Sequence, residues 1–160
     1  MTSPPSGTKI RLLDDGDLLK WEILMDGPEQ SVYAVRSVFV LHSWAKQLLN
    51  FQQGGHFKLL LVLPTDYPFK PPSLSFQTKI YHPNVSNDDK GSMCLGMLRT
   101  DEWKPPNKIS AVLNMARNLL IEPNPDDAVE TSIADQYKNN RKEFERVARD
   151  WVKKHASGKI

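Results

Sequence analysis

Cys94 is the chain's single cysteine, set in Lys90-Gly91-Ser92-Met93-Cys94-Leu95-Gly96 between turn-forming and apolar neighbours. A thiol there is either a small buried hydrophobe or a nucleophile, and residue type alone leaves both open. His82 is the nearest imidazole in sequence, but a Cys/His hydrolase also needs a third group to orient its base, and nothing marks one. His42, His56 and His155 stand singly, and one cysteine makes no zinc spacing, so no metal is expected. Asn84 follows Tyr81-His82-Pro83 and carries an amide that can donate to developing negative charge or hold its own turn together. Asp126 and Asp127 pose a similar choice between chemistry and helix capping.

These residues have to be positioned by one domain, because 160 residues at 39% hydrophobic content suit a single core. Twenty-one basic and nineteen acidic residues are interspersed to a net charge of +2, which argues against a nucleic-acid partner. No apolar run is long enough to span a bilayer, and the first twenty residues hold no signal-peptide core. A reducing, cytoplasmic or nuclear location is the expectation.

Residues 1 to 17, with Pro4, Pro5, Gly7 and Asp14-Asp15-Gly16-Asp17, read mostly as loop. Strands are expected at Leu18 to Met25, His56 to Leu63 and Ser73 to Phe76, and the proline-rich stretch from Thr78 to Asn107 reads as ordered loop. Ile109, Val112, Leu113, Ala116, Leu119 and Leu120 share one helical face, ended by Pro123 and Pro125; Phe144, Val147, Ala148, Trp151 and Val152 make a C-terminal amphipathic helix. Strands first and helices later predict an α+β domain with an antiparallel meander.

Pro64-Thr65-Asp66-Tyr67-Pro68-Phe69-Lys70-Pro71-Pro72, then Tyr81-His82-Pro83-Asn84, then Gly91-Ser92-Met93-Cys94-Leu95 resemble the signature of the ubiquitin-conjugating enzymes. The likeness runs on through Trp103-Lys104-Pro105-Pro106 and Glu122-Pro123-Asn124-Pro125-Asp126-Asp127. It implies a four-stranded antiparallel sheet flanked by helices and makes Cys94 the acceptor of ubiquitin from the activating enzyme. No cofactor is implied. Asn84 would stabilise the oxyanion or order the loop around it, and Asp127 would orient or deprotonate the incoming substrate lysine. Phe69 and Lys70, with Lys104, Pro105 and Pro106, match the loops presented to RING-type and HECT-type ligases. The alternatives are a catalytically impaired isoform, a non-catalytic ubiquitin- or ligase-binding module of the same fold, and a Cys/His hydrolase that leaves the proline-rich signature unexplained.

Three departures accompany the resemblance. Asp88-Asp89-Lys90 lengthens the stretch between Asn84 and Cys94, a change the loop should absorb. The basic helix with which family members open has no counterpart at Met1-Thr2-Ser3-Pro4-Pro5. Residues 35-53, Val35 to Gln53, read as an insertion in the first hairpin of a 1-160 domain, either a retained in-frame intron or an added helix, with Val38, Leu41, Ala45, Leu48 and Leu49 near helical spacing.

Overall fold

The computed structural model describes residues 4–34, 36–39 and 50–157, with backbone alone at 36–39 and 50–53. Among the described residues six strands and three α-helices follow one another: β1 Thr8–Leu12, β2 Lys20–Asp26, β3 Arg36–Phe39, β4 Asn50–Gln53, β5 His56–Val62, β6 Ser73–Phe76, α1 Ile109–Ile121, α2 Thr131–Asn139 and α3 Arg141–His155. The main sheet is an antiparallel meander in the order β1-β2-β5-β6, as expected for this α+β class.

Its register places Ile10 opposite Ile23, Ile23 opposite Leu59 and Leu59 opposite Phe76, so each strand contributes one residue to an apolar row. Met25 and Phe57 pair in the next such row, and Trp21, Leu61 and Leu74 form another. Alternation sends this set to one face because successive strand side chains point to opposite sides. Apart from Ile10 on the edge strand, which is exposed, the set joins one core with Val112, Leu113, Ala116 and Leu120 of α1 and with Phe144, Ala148 and Val152 of α3.

Helix α1 stops where Pro123 follows Glu122, whose N–H closes on the Asn118 carbonyl at 2.9 Å. Helix α3 begins at Asn140, whose side-chain oxygen accepts from the Glu143 N–H at 3.3 Å, and Lys153, Lys154 and His155 lie at its C-terminal end, where cations favour the helix dipole.

Two expectations need correction. Thr8–Leu12, read as loop, is the edge strand β1; its alternation of Ile10 and Leu12 with Lys9 and Arg11 sufficed for an edge pairing, while the surrounding Gly, Pro and Asp obscured it. The added helix is not formed at either end of 35–53: Arg36–Phe39 and Asn50–Gln53 are antiparallel strands, with Val38 opposite Phe51. Leu41, Ala45, Leu48 and Leu49 lie outside the described residues.

Candidate active site

Cys94 lies at the end of a return loop that begins at Asn84, and the two are locked together because the Cys94 N–H donates to the Asn84 carbonyl at 3.1 Å. A bridge pairs Val85 with Met93, and the Ser86 N–H reaches the Ser92 carbonyl at 2.9 Å. Gly91 makes the bend at a φ of 56°, where a Cβ would stand 1.9 Å from the Phe76 carbonyl oxygen. Only glycine fits both that backbone region and that approach. At the tip of the loop Asp88 Oδ1 accepts the N–H groups of Lys90 and Gly91 at 3.0 and 3.1 Å, and residues 87–90 are exposed.

Asn84 is 1% exposed, and its amide is committed elsewhere than to the sulfur. Its Nδ2 donates to the carbonyls of Asn124 and Asp127 at 2.6 and 2.9 Å, and its Oδ1 accepts from the Asn124 N–H at 2.9 Å. These bonds tie Asn84 to the loop from Asn124 to Asp127. The Pro83 carbonyl adds to the seam by accepting from Val129 and Glu130, each at 2.9 Å.

That clamp decides the carboxylate. Asn124, through its own side chain, caps the 3-10 turn Pro125–Asp127, and Asp126 turns outward to Lys138 at 2.7 Å. Asp127 caps nothing; its Oδ2 accepts from Cys94 Sγ at 3.6 Å, and its Oδ1 accepts from Arg99 Nη2 at 2.8 Å. Arg99 follows the 3-10 turn Gly96–Leu98, and its guanidinium is held above the ordinary arginine value first by its bond to the Cys94 side chain and then by the Asp127 charge. Sequence reasoning missed Arg99, one of twenty-one basic residues with no spacing to single it out.

His82 is excluded as a base. It is fully buried, its Nε2 faces the Leu119 carbonyl at 2.9 Å, and its Nδ1 accepts from the Asn84 N–H at 2.9 Å. These partners select the neutral ring with hydrogen on Nε2, and burial pushes its pKa down to about 4 despite the Leu119 bond. Tyr81 builds the same turn, its carbonyl accepting from the Tyr33 hydroxyl at 2.6 Å.

Cys94 itself is half-buried in an open groove of about 560 Å³ walled by Leu95, Leu119, Pro123 and Asp127. A larger cavity of about 760 Å³ lies elsewhere, beside Tyr33, Gly54 and Phe144. The smaller groove is the site, because the thiol and carboxylate meet there. Among the described residues no group of three or more His, Cys, Asp or Glu could hold a metal, and no helix is long and apolar enough to cross a membrane.

Phe69 is 77% exposed, and Lys70, Lys104, Pro105 and Pro106 are also exposed. The two loops carrying them are joined, since Trp103 Nε1 donates to the Pro68 carbonyl at 2.7 Å and the Tyr67 and Trp103 rings lie 6.3 Å apart.

A meander sheet backed by helices, with one accessible thiol beside a carboxylate and no imidazole among the described residues lining its groove, defines a single-cysteine α+β domain and not a Cys/His hydrolase. The family model described as "Ubiquitin-conjugating enzyme" matches residues 50–152. "Ubiquitin conjugating enzyme E2 B" of Dictyostelium discoideum is 39% identical over 98% of this chain and 90% of its own length. "Ubiquitin-conjugating enzyme E2 14" of Schizosaccharomyces pombe is 40% identical over 96% of this chain and 84% of its own. A solved ubiquitin conjugating enzyme E2 domain from Toxoplasma gondii superposes with a TM-score of 0.75 at 30% identity, over 94% of this chain and 89% of that one. The chain belongs to the ubiquitin-conjugating enzyme family. Its activity class is that of a transferase, and its family partners are ubiquitin, an activating enzyme and a ligase.

Proposed function

We propose that this chain accepts the C-terminal carboxyl of ubiquitin on Cys94 from the activating enzyme, as a thioester, and transfers it to a lysine of a protein substrate. The supporting observation is the accessible Cys94 sulfur 3.6 Å from the Asp127 carboxylate, in a groove open to an incoming amine. A thioester keeps the acyl group reactive toward amines, so the sulfur needs no adjacent imidazole once it is loaded. Asp127 orients the amine and draws off its proton, and Asn84 acts by holding the Asn124 to Asp127 loop at the right distance.

Phe69, Lys70, Lys104, Pro105 and Pro106 form the docking face for a RING-type or HECT-type ligase, an exposed aromatic framed by prolines and cations. The enzyme works in the cytoplasm or nucleus, where a lone thiol stays reduced.

Incubation with activating enzyme, ubiquitin and ATP, followed by a non-reducing gel, tests the proposal. A thiol-sensitive conjugate is expected with the parent chain, and at most a thiol-resistant oxyester with Cys94→Ser. A thiol-sensitive conjugate on Cys94→Ser, or none on the parent, overturns it.

A further inference from the structure

In the resting site both oxygens of Asp127 are occupied, Oδ1 by Arg99 Nη2 at 2.8 Å and Oδ2 by the Cys94 thiol at 3.6 Å. A carboxylate so close to a sulfur opposes formation of the thiolate unless a cation offsets it. Arg99 is that cation, paired with the same carboxylate at 2.8 Å. Glu122 lines the same groove, and Asp101 acts only weakly on Arg99.

We propose that Arg99 is a positioning residue with two duties: its charge offsets that of Asp127 beside the Cys94 sulfur, and its hold on Oδ1 leaves Oδ2 as the oxygen offered to the incoming amine. This rests on reading Cys94 as the ubiquitin carrier. In loading, the thiol gives its proton to water, the sulfur bonds to the ubiquitin carbonyl carbon, and the activating enzyme's thiolate leaves. The S–H that occupied Oδ2 is then gone, while Oδ1 stays on Arg99. In discharge the lysine nitrogen bonds to the same carbon and its proton passes by Oδ2 to water. The carbon–sulfur bond breaks, and the departing Cys94 thiolate again faces the guanidinium.

The Arg99 and Asp127 side chains are 54% and 42% exposed, so solvent screens the pair and the effect is a few-fold one. The test is the rate at which iodoacetamide, a neutral reagent, alkylates Cys94 at pH 7 in the whole chain and in Arg99→Ala, Arg99→Lys and Asp127→Asn. Arg99→Ala is expected to react roughly threefold more slowly, Arg99→Lys to recover most of that loss, and Asp127→Asn to react faster than the parent. Arg99→Ala should also slow single-turnover discharge to free lysine. A purely structural role would not give opposite signs for the two neighbours. Equal alkylation of Arg99→Ala and parent, or a slowing in Asp127→Asn, overturns the inference. If this ordering holds but the parent takes no ubiquitin, the carrier reading fails and the electrostatic assignment stands.

Discussion

The Gly55 N–H donates to the Tyr33 carbonyl at 3.1 Å, across the base of the segment that separates them in sequence. The Gly55 carbonyl in turn accepts from the Gly27 N–H at 2.8 Å, so both flanks of residues 35–53 are tied to the end of β2. Removing Val35 to Gln53 and joining Ala34 to Gly54 therefore requires no rearrangement of the main sheet, and a shorter loop costs slightly less closure entropy. The deletion is expected to keep the parent's far-ultraviolet dichroism and to melt within a few degrees of it, with equal or better soluble yield. Unfolding of the deleted chain would show that the segment is part of the core.

Asn84→Ala and Asp127→Ala should separate holding from chemistry. Losing the Asn84 amide strands three polar partners in the seam, at roughly 1–3 kcal/mol of unfolding free energy, whereas truncating the half-exposed Asp127 side chain should leave stability nearly unchanged. Both should slow discharge to free lysine far more than loading, Asp127→Ala by ~100-fold if it handles the proton. Urea unfolding and single-turnover discharge measure the two quantities, and equal discharge by Asp127→Ala and parent removes its role.

Gly91→Ala tests the bend that delivers the cysteine. A methyl group 1.9 Å from the Phe76 carbonyl oxygen, on a backbone at positive φ, has to push Gly91 away from β6. A loss of at least ~2 kcal/mol is expected, with a proportionate fall in loading as Cys94 shifts. An unfolding midpoint equal to the parent's would refute the strained geometry.

His82 predicts a pH dependence of stability. Its folded-state pKa of about 4 lies below the ordinary 6.5, so the unfolded chain binds this proton more readily. The contribution is complete above pH 6.5 and is lost as pH falls toward 4, about 3 kcal/mol in all. Carboxylates held low by their partners, such as Glu143 beside Arg146, act below that window. Unfolding midpoints between pH 7 and 4.5 should decline in the parent and flatten in His82→Gln.

The long periodic elements were legible because burial enforces their spacing: all six apolar positions read on α1 are buried or partly buried in the helix. β1 was not, since an edge strand needs little apolar content and its polar flanks dominate the local composition. Cys94, Asn84 and Asp127 could be named from a motif, but the partition of their duties could not. That Asn84 spends its amide on Asn124 and Asp127, some forty residues away, follows from chain folding and leaves no local mark. Arg99 is the extreme case, a surface-type residue whose meaning comes wholly from a neighbour twenty-eight positions on.

The Trp103 to Pro68 bond bears on how a partner would meet the surface around Phe69 and Pro105. Two loops that wandered independently would each have to be brought to rest when a ligase closed on Phe69 and Pro105, and that ordering would weaken the complex. Here the indole fastens one loop to the other before any encounter. For the ligase proposed to dock there, that bond leaves less ordering to be done on contact.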